Sequence, residues 1–237
     1  MSGAHSVLQT VLASPVPWLA TTLLAFECGN WLFRRWGEPV WAPPLLIALA
    51  LIIGGLLLTG ADYAIYFRGN ALLHFMLGPA TVALAVPLYR SLPRLRAAFR
   101  PLTVILLVGT VLGAGGAMGL AWLFRLSHDS ILAFGTRAVT TPIAIGIAEK
   151  IHSPVALAAA LVGFSGVVGA SLAEPLLKGV KSDVARGFAM GLAAHGVGTA
   201  RAFQIHPTAG AFAALGMGLN GMITAFWLPP VVRWILG

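Results

Sequence analysis

Apolar residues in this chain come in long runs, separated by short basic or glycine- and proline-rich segments. The runs at 18–36, 41–59, 64–90, 101–124, 131–150, 154–177, 185–205 and 208–236 are each long enough to span or enter a bilayer as a helix. The pattern predicts an all-α polytopic membrane protein, with one transmembrane domain over 1–237. About seven transmembrane helices and one broken or re-entrant element are expected.

The basic residues decide which run is broken. Arg34 and Arg35 follow the first run, Arg90, Arg94, Arg96 and Arg100 the third, and Lys178, Lys181 and Arg186 the sixth. If all three clusters are cytoplasmic, the fourth run ends outside near Arg125 while the sixth ends inside at Lys178. The fifth run, 131–150, then cannot be a simple crossing. Its sequence agrees, because Thr140-Thr141-Pro142 interrupts it, with Thr141 suited to an N-cap and Pro142 to a first helical position.

A weak internal repeat pairs 42–61 with 152–170, both small-residue-rich helices that open on a proline. Gly78-Pro79-Ala80-Thr81 aligns with Gly196-Val197-Gly198-Thr199, and Pro87 with Pro207. On the topology above the paired segments run in opposite directions. An inverted-topology repeat is therefore expected, 1–125 against 126–237, with a site between broken helices near the midplane. Gly109 and Gly113, Gly115 and Gly119, and Gly187 and Gly191 read as packing positions where helices approach closely.

The chemistry centres on Gly191 to Pro207, where an Ala-rich helix meets Gly196 and Gly198 and resumes with Arg201. Backbone groups freed by such an interruption need partners in the protein or in a water-filled cavity. Helix starts at Gly78-Pro79 and Thr141-Pro142, with the break at Gly196–Gly198, would present unpaired N–H groups and positive dipole ends to an anion. Thr81, Thr140, Thr141 and Thr199 would add hydroxyl donors, and Arg137 or Arg201 a fixed charge for a carboxylate. A small organic anion is the expected ligand. Any single intramembrane threonine also has the alternative of bonding its own helix backbone, and Arg201 that of reaching an interface. His195 and Glu149 are the coupling-ion candidates, and a packing role is the favoured alternative for His195. Glu174 and Asp183 read as solvated loop charges beside the basic loop.

Composition narrows the classes. The chain is 58% hydrophobic and 9% charged, with a mean hydropathy of +0.89. Its net charge of +8 falls mostly between apolar runs, as topology signals do, so nucleic acid is not an expected partner. Cys28 stands alone, which leaves no disulfide framework or metal-ligand spacing, and no metal or cofactor is expected. The N-terminus lacks a basic region followed by a cleavage site, so no signal peptide is expected. With no nucleotide loop, HExxH, CxxC or serine elbow, an enzyme is not expected either.

At LGPATVALAVPLY (77–89), TRAVTTPIAIGIAE (136–149) and AMGLAAHGVGTARAF (189–203) the chain resembles the LrgB/CidB family of bacterial membrane proteins. The resemblance spans nearly the whole chain. Its GPAT motif matches Gly78 to Thr81, its basic-x-VTTP motif Arg137 to Pro142, and its HGxGTA motif His195 to Ala200. It implies a multi-pass protein of the bacterial cytoplasmic (inner) membrane, a lipid-embedded chain acting with a small holin-like partner of the LrgA/CidA type. Two functions follow from it. One is transport of small monocarboxylates, as in the plastid glycolate/glycerate translocator relative; the other is regulation of murein hydrolase export and autolysis without a substrate of its own. Arg137 is often lysine in such relatives, so a bare positive charge is the implied requirement. Glu149-Lys150 is no motif of the family. Homo-oligomerisation stays open.

Overall fold

The structure, a computed structural model, describes residues 14–39, 42–83 and 85–236. These residues are helical throughout apart from short connections, and they divide into two compact units, Met1–Ala83 and Leu84–Gly237.

The N-terminal unit holds α1 (Pro15–Arg35), α2 (Pro44–Thr59), α3 (Tyr63–Gly69) and α4 (Ala71–Ala83). A side chain at Gly29 would meet the Pro44 carbonyl, so α1 and α2 touch backbone to backbone there. The run 64–90, expected as one element, is interrupted at Asn70. This buried amide donates to Tyr66 O at 2.9 Å and accepts from Thr22 Oγ1 at 2.9 Å, closing α3 against α1. Pro79 lies inside α4 and does not start a helix, which corrects the expectation of a helix start at Gly78-Pro79. The side chains of Gly78 and Thr81 are outside the described residues.

The C-terminal unit holds α5 (Ala85–Arg90), α6 (Leu92–Ala97), α7 (Phe99–Leu123), α8 (His128–Gly135), α9 (Thr141–Lys150), α10 (Val155–Leu176), α11 (Asp183–Ile205) and α12 (Pro207–Leu236). Three of these, α7, α10 and α12, are long and apolar enough to cross a membrane. The protein is an all-α membrane protein. On α7 a stripe at Leu102, Leu106, Thr110, Ala114, Ala117 and Ala121 is buried. Its other faces expose Val104, Ile105, Val108, Val111 and Leu112, as on a helix that faces lipid on one side and protein on the other.

Contacts fix the directions. Leu102 and Leu106 of α7 pack with Phe212 of α12, Thr110 meets Asn220, and Met118 reaches the level of Leu228, so α7 and α12 run the same way. Helix α10 runs against them, from Ala158 beside Ala148 to Ala173 beside Ala209. Two ends of the unit result, named here for Lys150 and Ser182.

The stretch 131–150 is broken, as the sequence predicts: α8 and α9 are separated by a turn at 136–140. Helix α8 climbs from the Lys150 end, Gly135 lying against Met118 and Leu228. Helix α9 returns, with Ile143 on Gly221 and Arg233 donating to Lys150 O at 3.5 Å. It is a hairpin with both feet at the same end.

A second hairpin was not foreseen. Helix α11 contains one non-helical residue, His195 (φ 39°, ψ −124°), and the chain reverses there. A straight helix would hold Asp183 and His206 roughly 34 Å apart at about 1.5 Å per residue, yet His206 Nδ1 lies 3.4 Å from Asp183 Oδ2. Before the reversal, Gly187 and Gly191 press on the backbones of Ala209 and Ala213; after it, Phe203 covers Gly210. The break thus falls at His195, and Gly196 and Gly198 continue the returning helix. A side chain at Gly198 would collide with the Met190 carbonyl, so the glycine is needed where the two arms cross closely.

Gly187 and Gly191 are packing positions as expected, whereas Gly115 and Gly119 face open space among the described residues. Gly191→Ala should therefore lower stability by about 1–3 kcal/mol, since the opposing atoms are backbone and cannot rotate away. Gly115→Ala should leave it unchanged or slightly raised. Thermal unfolding of the two variants in detergent checks the contrast.

Candidate anion site at the hairpin tips

The two hairpins enter from opposite ends and their tips meet at mid-height, on one side chain. Asn220, midway along α12 and 2% exposed, donates from Nδ2 to Ala138 O at 2.8 Å in the first tip and to Leu192 O at 3.3 Å just before the second. Its Oδ1 accepts from Thr110 Oγ1 of α7 at 2.8 Å. The orientation of the amide is forced, because the reverse would set its oxygen against two carbonyls. Carbonyls in the last turn of a helix lack intrahelical partners, and a buried one left unpaired costs about 1–3 kcal/mol. Asn220 supplies a partner to one such carbonyl, Leu192 O, and to the buried turn carbonyl of Ala138. A polar amide in the middle of the apolar run 208–236 is the signal that could have found it.

The second tip is pinned through His195 and α10. The carbonyl of Val162 can only accept, so His195 Nε2 carries the proton and donates to it at 3.0 Å. Any side chain at Gly166 would strike the imidazole, with a Cβ falling 2.5 Å from Cε1. This seat offsets the positive φ at His195, a conformation worth about 1–3 kcal/mol of strain in a non-glycine residue. Thr199 Oγ1 donates to His195 O at 2.8 Å, back along its own helix, with Met217 Sδ at 3.8 Å.

At the first tip Arg137 is half-buried between α7 and α10, donating to Ser165 Oγ at 3.2 Å and Gly113 O at 3.4 Å. Both acceptors are neutral. The acids of this unit all lie away from the tips: Asp129 and Glu149 towards the Lys150 end, Glu174 and Asp183 towards the Ser182 end. Among the described residues Arg137 has no carboxylate partner. Thr140 takes the N-cap backbone position of α9 and Thr141 becomes its first residue, so the helix starts one residue earlier than expected and Pro142 is its second. Thr141 and Pro142 are exposed, and Thr140 is half-buried.

Arg201 differs in kind. Its Nη2 donates to Glu174 Oε1 at 2.7 Å and its Nη1 to Gln204 Oε1 at 2.8 Å. Glu174 sits in α10 as the counter-ion of Arg201, not in a loop, and Asp183 Oδ2 lies 3.4 Å from His206 Nδ1. Glu149 is exposed near the foot of α9, roughly 12 Å along the helix from Thr141. The structure thus brings Arg137, Thr140, Thr141 and Pro142 into one tip and His195, Gly196, Gly198 and Thr199 into the other. Arg201 and Glu149 stand apart from both. Gly78, Pro79 and Thr81 belong to the N-terminal unit.

Two arms begin at the tips. Helix α9 and the returning arm of α11 (196–205) both start at mid-height and run outwards, so their positive dipole ends face the same region as Arg137. Chemically, the two helix starts and Arg137 make this a region of positive potential.

The sequence pattern of the LrgB-like family matches residues 22–234. The chain belongs to the LrgB-like family. Its relatives there include an uncharacterised protein, YwbG, of Bacillus subtilis (strain 168), 31% identical over 208 residues that make up 87% of this chain and 92% of the relative. The holin-like protein CidB of Staphylococcus epidermidis is 27% identical over 230 residues, 96% of this chain and 98% of the relative. The antiholin-like protein LrgB of Bacillus subtilis is 28% identical over 226 residues, 94% and 98% of the two chains. No solved structure matches the chain significantly.

In this LrgB-like chain the Asn220 network ties α7, both tips and α12 into one piece. Asn220→Leu keeps the volume but leaves two carbonyls and a hydroxyl unpaired, and should lower stability by about 2–4 kcal/mol. Asn220→Asp, which sets a carboxylate oxygen against the same two carbonyls, should fall by at least as much. Thermal unfolding in detergent, with Thr103→Val on the exposed face of α7 as control, reads the difference.

Proposed function

We propose that the protein is a secondary transporter of the bacterial cytoplasmic (inner) membrane, carrying small monocarboxylates of the glycolate, glycerate, lactate or pyruvate kind. The observation that carries this reading is Arg137, a cation without a carboxylate partner among the described residues, where two helix interruptions meet. A charge in a bilayer interior is normally offset by a partner or a cavity, and here the partner would be the substrate. One uncompensated charge suits one carboxylate. The N–H groups at the start of α9 and the Thr140 and Thr141 hydroxyls would then complete its hydrogen bonding.

Membrane placement supports the same reading. The arms of the two hairpins are about 12–18 Å long, too short for a hydrocarbon core of about 30 Å, so both would be re-entrant. Arg90, Arg94, Arg96, Arg100, Lys178 and Lys181 lie towards the Ser182 end, where Arg94 donates to Thr208 Oγ1 at 3.0 Å, which makes that end cytoplasmic. Helix α7 with the α8–α9 hairpin, and α10 with the α11 hairpin, would form one inverted repeat, 99–150 against 155–206, rather than 1–125 against 126–237. In this account His195 is chiefly a positioning residue, and a coupling role for Glu149 loses support from its place at the foot of α9.

The second reading is regulation of murein hydrolase export and autolysis with a small LrgA/CidA-type membrane partner and no substrate. The holin-like and antiholin-like names of the relatives favour it, and it gives an uncompensated Arg137 no task.

Uptake of labelled glycolate, lactate and pyruvate into proteoliposomes separates the two. Transport by the parent is expected, with Arg137→Gln nearly inactive and Arg201→Gln much less impaired. Thr141→Val should weaken substrate binding by about 5- to 150-fold, the equivalent of an unpaired carboxylate oxygen. Thr199→Val should matter less, because its hydroxyl already bonds His195 O. Parent-like transport by the Arg137 and Thr141 variants would move the regulatory reading ahead.

A further inference from the structure

The Lys150 end carries a cavity of about 360 Å³ that is separate from the hairpin tips. His128 at the first turn of α8, Lys150 and His152 at the end of α9, and Arg233 near the end of α12 supply its polar wall. No acidic side chain lines it. Leu132, Ile151 and Val232 supply an apolar wall.

The local backbone gathers these basic side chains. Helix α9 ends with Ser153 N donating to Ala148 O at 2.9 Å, and His152 takes the left-handed position (φ 55°) that glycine usually fills. A histidine there accepts a conformation about 1–2 kcal/mol less favourable than glycine would feel, and gains a side chain in the cavity. Arg233 holds one guanidinium nitrogen on Lys150 O, which keeps two positive side chains on adjacent elements close together despite their repulsion. Exposed Trp122 and Phe124 at the end of α7 and Trp234 beside Arg233 mark this end as the level of a membrane interface, where aromatic side chains concentrate.

A cavity with two fixed cations and two histidines on one wall, aliphatic residues on the other, at interfacial depth, matches a phosphate headgroup with an acyl chain attached. We propose that this cavity binds the phosphate headgroup of an anionic phospholipid. A free phosphate would use the basic wall but leave the apolar wall without a partner. Bound lipid would bridge α8, α9 and α12, and so hold both feet of the first hairpin to the long helix beside them.

The test is lipid retention. The full chain is reconstituted into bilayers of mixed phosphatidylglycerol and phosphatidylcholine, and lipids that remain bound are identified by native mass spectrometry. Phosphatidylglycerol should be retained in preference, and Lys150→Gln/Arg233→Gln should reduce that retention by about thirtyfold, roughly fivefold for each basic residue. Lys150→Arg/Arg233→Lys, which keeps both charges, should retain lipid like the parent, and this variant controls for misfolding. Equal retention of phosphatidylcholine, or undiminished phosphatidylglycerol on the charge-neutral variant, overturns the proposal. So does displacement of all bound lipid by millimolar inorganic phosphate, which would make the site one for a free anion.

Discussion

A helix that stops inside a membrane leaves carbonyls and N–H groups that lipid cannot satisfy. This chain stops two helices at the same height and ties both stops to one amide. Asn220 donates to carbonyls of both tips and accepts from Thr110, so α7, the two hairpins and α12 share a single hydrogen-bonded junction. His195 and Thr199 satisfy further groups around the second tip. The interruptions are thereby tied to α7, α10 and α12. What is left over is positive: helix N-termini and a guanidinium.

The disposition of charge follows from the same constraint. Arginine within an apolar unit needs a partner, and Arg201 has Glu174 at 2.7 Å. Arg137 instead rests on a serine hydroxyl and a backbone carbonyl, which orient the guanidinium without neutralising it. The contrast between two arginines in one small unit is more informative than either alone. It separates an ion pair that holds α10 to the returning arm of α11 from a charge that only neutral groups hold among the described residues, the feature on which the proposed anion site rests. The small residues at Gly166, Gly187, Gly191 and Gly198 allow these close approaches, since a methyl at any of them would meet a ring or a backbone atom.

Much of this was legible in the sequence, but not all. The break in 131–150 followed from the basic clusters, because topology signals and the Thr-Thr-Pro interruption made independent demands that agreed. The reversal at His195 did not. Two nearby glycines drew attention to 196–198, whereas the residue that takes the positive φ is the histidine, whose seat on Gly166 and Val162 comes from a helix thirty residues away in sequence. Long-range partners also hid the role of Glu174, which reads as a loop charge until α10 is set beside Arg201. Asn220 was visible as a polar residue in an apolar run, though nothing local told which carbonyls it would serve. The 64–90 run looked continuous because the break at Asn70 depends on Thr22 of α1.

The central claim is that Arg137 awaits a carboxylate. Equilibrium binding of carboxyl-labelled pyruvate to the parent protein in lipid discs, followed by NMR beside uncharged pyruvamide, tests it most directly. The account predicts that pyruvate binds the parent, that pyruvamide does not, and that Arg137→Gln binds neither while Arg201→Gln still binds pyruvate. Pyruvate binding that survives unchanged in Arg137→Gln, or a parent that binds no small carboxylate at all, would contradict it.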